Sequence, residues 1–149
     1  MQWVELTKEA ISKTLETMFF TLVEFNGTDE GSAYENADKI SSHIKLSSDK
    51  TSILIVISIA ESFAFQMAAD FTGTIVDKVK REDAEDCLRE FTNMVGGYCV
   101  NSIGGRYSLG LPEIGFPSEI GDLNQCSSFS LFVLGEKFGE VAVCVVQSK

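Results

Sequence analysis

Ile53-Leu54-Ile55-Val56-Ile57 is the segment that most restricts how this chain folds. Four of its five residues are β-branched, and no polar position interrupts them. β-Branched side chains suit an extended backbone and crowd a helix. A short, unbroken apolar run describes a strand buried on both faces, so Thr51 to Ile59 is expected inside a sheet. Its partner precedes it. Lys39 to Leu46 places Ile40, Ile44 and Leu46 on one side, and Ser47-Ser48-Asp49-Lys50 has hairpin length. A second hairpin is expected near the C-terminus, from Ser127 to Leu134 and from Glu140 to Gln147, turning through Gly135 to Gly139.

Two long amphipathic helices supply the other layer. Leu6 to Leu22 carries Ile11, Leu15, Met18, Phe19 and Leu22 at the spacing of one buried face. Around Glu90, at about 100° per residue, the arc holding Ala84, Cys87, Leu88, Phe91, Met94 and Val95 is wholly apolar. Glu61 to Phe71 reads as a shorter helix stopped by Gly73, and Arg106 to Leu111 as a strand. Thr28 to Ala33 and Pro112 to Gly121 read as loops. A helix with one apolar stripe and one wet face needs a packed layer on one side and solvent on the other. The expected fold class is therefore α/β of the α+β type. It is one domain over 1–149, with both long helices on one side of an antiparallel-rich sheet. The two halves echo each other weakly, aligning at an offset of 76 residues when Thr17-Met18 is set against Asn93-Met94.

Charge narrows the class of partner. A net charge of −10 repels nucleic-acid backbones, anionic membranes and free phosphate metabolites. The longest apolar run is far below the ~20 residues that span a bilayer. Met1-Gln2-Trp3-Val4-Glu5 lacks both the basic start and the apolar core of a secretory signal, so a soluble cytoplasmic protein is expected. Cys87, Cys99, Cys126 and Cys144 form no Cys-x-x-Cys pair, and Cys87 and Cys144 are expected as small buried hydrophobes. His43, the one histidine, falls in a strand without partners and is expected to be neither a metal ligand nor a base.

Chemistry is expected on the polar side of the second long helix. Glu90 and Asn93 stand one turn apart there, with Asp86 one turn before Glu90. A carboxylate can hold a lysine, and a carboxamide can orient a water through its donor and acceptor groups. Neither is a nucleophile, so the pair describes half of an active site whose other half arrives with another molecule. Asn is a poor mid-helix residue, and Gly96-Gly97 removes bulk from the helix surface just beyond it, where another backbone can approach.

Glu90-Phe91-Thr92-Asn93-Met94-Val95-Gly96-Gly97 resembles the Glu-x-x-Asn-(Met/Ile)-x-x-Gly signature of the CheC/CheX/FliY chemotaxis phosphatases. The resemblance extends to Leu15-Glu16-Thr17-Met18-Phe19, to the strands either side of Ser47 to Lys50, and to Leu109-Gly110-Leu111-Pro112. It is strongest to CheX-like members, which keep a single site. The first helix has Thr14 and Thr17 (or Phe19 when read from Glu16) where a second Glu and Asn would stand. The resemblance implies a phosphatase acting on the aspartyl phosphate of a CheY-like response regulator. In that reading Asn93 orients the attacking water, Glu90 docks the regulator's lysine, and Asp86 is a further docking candidate. It implies no cofactor of the protein's own, with Mg²⁺ held by the regulator. It also implies a homodimer, for which the C-terminal hairpin offers an apolar edge strand. The alternatives are a non-enzymatic adapter that binds a phosphorylated regulator or flagellar switch component, and a thiol protein using Cys99 or Cys126, which the spacing does not favour.

Overall fold

The apolar run lies at the middle of the sheet. The structure, a computed structural model, describes residues 2–26, 33–120 and 126–147. Its helices are α1 (Gln2–Phe19), α2 (Ala33–Asn36), α3 (Glu61–Thr72) and α4 (Arg81–Ser102), with a 3-10 turn at Val76–Lys78. Its strands are β1 (Lys39–Ser47), β2 (Thr51–Ala60), β3 (Ser108–Leu109), β4 (Glu113–Ile114), β5 (Ser127–Val133) and β6 (Glu136–Gln147). The strand order is β3-β1-β2-β6-β5, with β4 also on β1, and every pairing is antiparallel. The fold is α+β, as expected. The echo between halves is visible in the joint, since hairpins β1–β2 and β5–β6 meet through their second strands.

One face of the sheet presents Ile40, Ile44, Leu46, Ile53, Ile55, Ile57, Ile59, Val141 and Val143 to Ile11 and Leu15 of α1, Met67 of α3, and Leu88, Phe91 and Val95 of α4. Each fully buried isoleucine there contributes about 1.5–3 kcal/mol. Leu54 and Val56 point the other way and are buried too. Among the described residues, the segment after β3 lies on part of their face. There Gly115 N–H donates to Ser41 O at 2.8 Å, His43 Nδ1 meets Gly115 O at 2.7 Å, and Lys45 Nζ lies 3.4 Å from Glu119. A strand apolar on both faces is thus reconciled with core helices α1, α3 and α4 on one side, while Tyr34 of the short α2 is buried against Lys39 and Lys137 and donates to Ser58 O at 3.2 Å.

Several boundaries differ from expectation. α1 starts at Gln2 and stops at Phe19, because Phe20 turns left-handed (φ 52°), and this leaves Leu22 exposed rather than in the core. Of the strand expected from Arg106 to Leu111, Ser108–Leu109 alone pairs. The C-terminal hairpin turns on Leu134-Gly135, both at positive φ (51° and 81°), so β6 begins at Glu136. Gly139 belongs to β6 and not to the turn. A Cβ there would lie 2.9 Å from both Ser58 O and Ile59 Cγ2 of the neighbouring strand. Cys144 is no free thiol: it is bonded to Cys126 across the β5–β6 pair. Most of the loop expected from Thr28 to Ala33 lies outside the described residues.

The sheet has an edge at β5. Glu24 pairs with Phe132 by two 2.8 Å hydrogen bonds, so the end of that edge is already covered by the chain leaving α1.

Candidate functional site

α4 begins where Lys80 N–H donates to the Asp83 carboxylate at 2.9 Å, and Glu82 and Asp83 place negative charge in the first turn. Both features favour initiation there. The helix then buries Ala84, Cys87, Leu88, Phe91, Thr92, Val95, Gly96 and Cys99. That arc fixes its rotation. Glu90 and Asp86 emerge exposed, and Asn93 half-buried, on the side away from the sheet. The three residues singled out from the sequence thus share one face.

Their partners differ. Asp86 forms an ion pair with Arg89, one turn along the same helix, so its charge is partly met. Among the described residues the side chains of Glu90 and Asn93 have no hydrogen-bond or ion-pair partner. An acceptor carboxylate and a neutral amide therefore stand free, side by side. Beneath them, burial pushes the Cys87 thiol up to about 11, with Glu90 and Asp70 adding to the shift. Burial raises Cys99 to about 11 as well. Both thiols stay protonated at neutral pH, which removes them as nucleophiles.

α1 runs antiparallel beside α4, joined by Tyr98 Oη donating to Glu9 at 2.7 Å and by the Phe19 and Phe91 rings 6.3 Å apart. It carries no equivalent site. Thr14, the residue matching Glu90 at the 76-residue offset, is buried and donates to Ala10 O at 2.8 Å. His43 is a strand residue whose Nδ1 contacts Gly115 O and whose Nε2 lies 3.3 Å from Glu113, on the far side of the sheet from α4.

The two glycines after Asn93 are not alike. Gly96 is buried, and a Cβ there would lie 2.9 Å from Leu109 Cδ1 and 3.0 Å from Ile44 Cδ1. The close approach expected at this pair is thus, for Gly96, made by the protein's own β1 and β3. Gly97 is half-buried, and a Cβ there would meet Leu109 Cδ2 at 3.9 Å, ordinary contact.

Four cavities among the described residues lie elsewhere: one of about 650 Å³ lined by Glu5, Glu9, Phe25 and Ile103, one of about 570 Å³ by Lys50 and Tyr107, one of about 530 Å³ by Trp3 and Arg106, and one of about 490 Å³ by Tyr34, Phe63 and Phe138. Among the described residues no helix is long and apolar enough to cross a membrane.

No protein-family model matches the chain, and no curated protein matches it in sequence. Solved structures do match in fold. The chemotaxis protein CheX from Vibrio vulnificus superposes with a TM-score of 0.75 at 14% identity, covering 97% of each chain. CheX from Desulfovibrio desulfuricans gives 0.69 at 16% identity, covering 97% of this chain and 99% of that one. A chain of the CheX-CheY-BeF3-Mg+2 complex from Borrelia burgdorferi gives 0.67 at 15% identity, with 96% and 97% covered. CheC-like and FliY proteins share the architecture, so the fold is that of the CheC/CheX/FliY group in its CheX-like form.

Proposed function

We propose that this protein is a phosphatase for the aspartyl phosphate of a CheY-like response regulator. The observation that carries the reading is the pair of exposed Glu90 and half-buried Asn93, one turn apart on the outer side of α4 and free of partners among the described residues. Fold similarity to a CheX chain solved together with CheY supports it.

Hydrolysis of an aspartyl phosphate needs a water in line with the leaving carboxylate. The water oxygen bonds to phosphorus, the bond from phosphorus to the aspartate oxygen breaks with its electron pair going to the carboxylate, and inorganic phosphate leaves carrying both protons of the water. Mg²⁺ and a lysine of the regulator neutralise the phosphoryl oxygens, so what a second protein adds is position. In the proposed complex the Asn93 amide enters the regulator's site and holds that water, its carbonyl oxygen accepting a hydrogen bond from it. Being neutral, it meets no repulsion from the phosphoryl group, whereas Asp at this place would. Glu90 pairs with the regulator's lysine and so sets the register of the two proteins, with Asp86 at the rim. The protein then needs no metal of its own, and a dimer paired through the free part of β5 would leave both α4 faces open.

The test is direct. A CheY-like regulator is phosphorylated with a small phosphodonor, and loss of its phosphate is followed with and without this protein. Acceleration that disappears with Asn93→Ala is the expected result. Binding without acceleration would mark the protein as an adapter.

A further inference from the structure

Gly96 and Gly97 answer to different demands. Core packing accounts for Gly96, as its 2.9 Å and 3.0 Å neighbours show. Gly97 has ordinary space around it and lies inside α4, where Ala is the better helix former. Nothing among the described residues explains its lack of a side chain. It lies one turn beyond Asn93 on the same face.

Leu109 borders Gly97 and is 40% exposed, while Leu111, two residues on, is 84% exposed. These leucines sit on a pinned backbone. Leu109 pairs with Leu46, and Gly110 N–H donates to Lys45 O at 2.8 Å. A Cβ on Gly110 would lie 2.8 Å from that same oxygen, so the segment can lie this close to β1 only with glycine there. Apolar groups exposed on a fixed backbone lose little further freedom on binding. The outer face of α4 therefore reads as acid at Glu90, amide at Asn93 and a gap at Gly97, with Leu109 of β3 at the flank of that gap and exposed Leu111 two residues along the same pinned segment.

We propose that Gly97, Leu109 and Leu111 form a docking shelf on which a main-chain segment of the regulator's receiver domain lies, next to its phosphorylated aspartate. This rests on the phosphatase reading and extends the same interface. The receiver's lysine meets Glu90 at one end, and backbone with small or apolar side chains meets the shelf at the other.

The test separates stability from docking. A CheY-like receiver domain charged with beryllofluoride and Mg²⁺ is titrated with each variant. Gly97→Ala should raise the melting midpoint by about 2–4 °C, yet weaken receiver binding by about tenfold or more. Leu111→Ser should weaken binding by about tenfold, while Leu134→Asn, at a distant exposed leucine, should leave it unchanged. Unchanged affinity in both Gly97→Ala and Leu111→Ser overturns the shelf, and with retained hydrolysis it overturns the shelf alone. A wild-type protein that binds the receiver without hydrolysing, and loses binding in these variants, overturns the phosphatase reading and supports the shelf. Absence of wild-type binding overturns both.

Discussion

Asn93 contributes little to the fold, which makes it a clean place to test chemistry. It packs no core and donates to nothing inside the described molecule, and Ala at this position gains about 0.5 kcal/mol in helix propensity. Asn93→Ala should therefore melt no lower than the parent while losing about a hundredfold or more of dephosphorylation rate. Glu90→Lys should instead act on docking, raising KM steeply with like charge against the regulator's lysine, in a manner that added salt partly relieves. Near-normal hydrolysis by Asn93→Ala would sink the catalytic assignment. The buried thiols give a separate residue-scale expectation. Cys87 and Cys99 ionise near 11 when folded against an ordinary 9.0, so the unfolded chain releases these protons first as pH rises. The stability they support is whole below about pH 9 and is lost progressively toward pH 11. Urea melts across that window should show the decline, and Cys99→Ala should flatten it. An unaltered slope would contradict the burial of that thiol.

At the scale of elements, what could be read from the sequence was what repeats. The arc of Ala84, Leu88, Phe91 and Val95 announced α4 and its rotation, and so placed Glu90 and Asn93 outside before any coordinates. The run from Ile53 to Ile57 announced an interior strand. Features set by a single distant contact were not legible. Gly139 looked like a turn residue because glycine does, yet its reason is Ser58 O across the sheet. The same holds for Gly96, whose neighbours Ile44 and Leu109 come from other elements. Leu134 gave no signal at all, since leucine is disfavoured in the left-handed turn it occupies. Leu134→Asn would make an Asn-Gly turn that matches the twist of β5 and β6, and should stabilise the protein by about 1 kcal/mol. A chemical melt unchanged or lowered by this substitution would mean that the turn is held in another form.

At the scale of the whole molecule, the sheet is braced at both ends of its C-terminal half. Glu24 pairs with one end of β5, and the Cys126–Cys144 bond ties the other to β6. Cysteine spacing did not reveal that bond, because the two residues meet only through the hairpin register. With its ends 18 positions apart in sequence, the bond should contribute about 3 kcal/mol. Thermal melting with and without dithiothreitol checks this, and coincident midpoints would show that the bond carries no stability. The two-fold frame at the β2–β6 joint explains why one half resembles the other, and the inward turn of Thr14 explains why only one half carries the pair.

The half-buried seat of Asn93 on the outer face of α4 has a pharmacological consequence. Under the proposed phosphatase reading a small molecule finds no hollow to fill at the site, because the cavities of about 650, 570, 530 and 490 Å³ are lined by residues other than Glu90 and Asn93. A drug-like inhibitor would have to grip a ridge. On that reading the natural antagonist of such a surface is another folded surface, a decoy shaped like the proposed regulator, and selectivity becomes a matter of footprint rather than fit within a cleft.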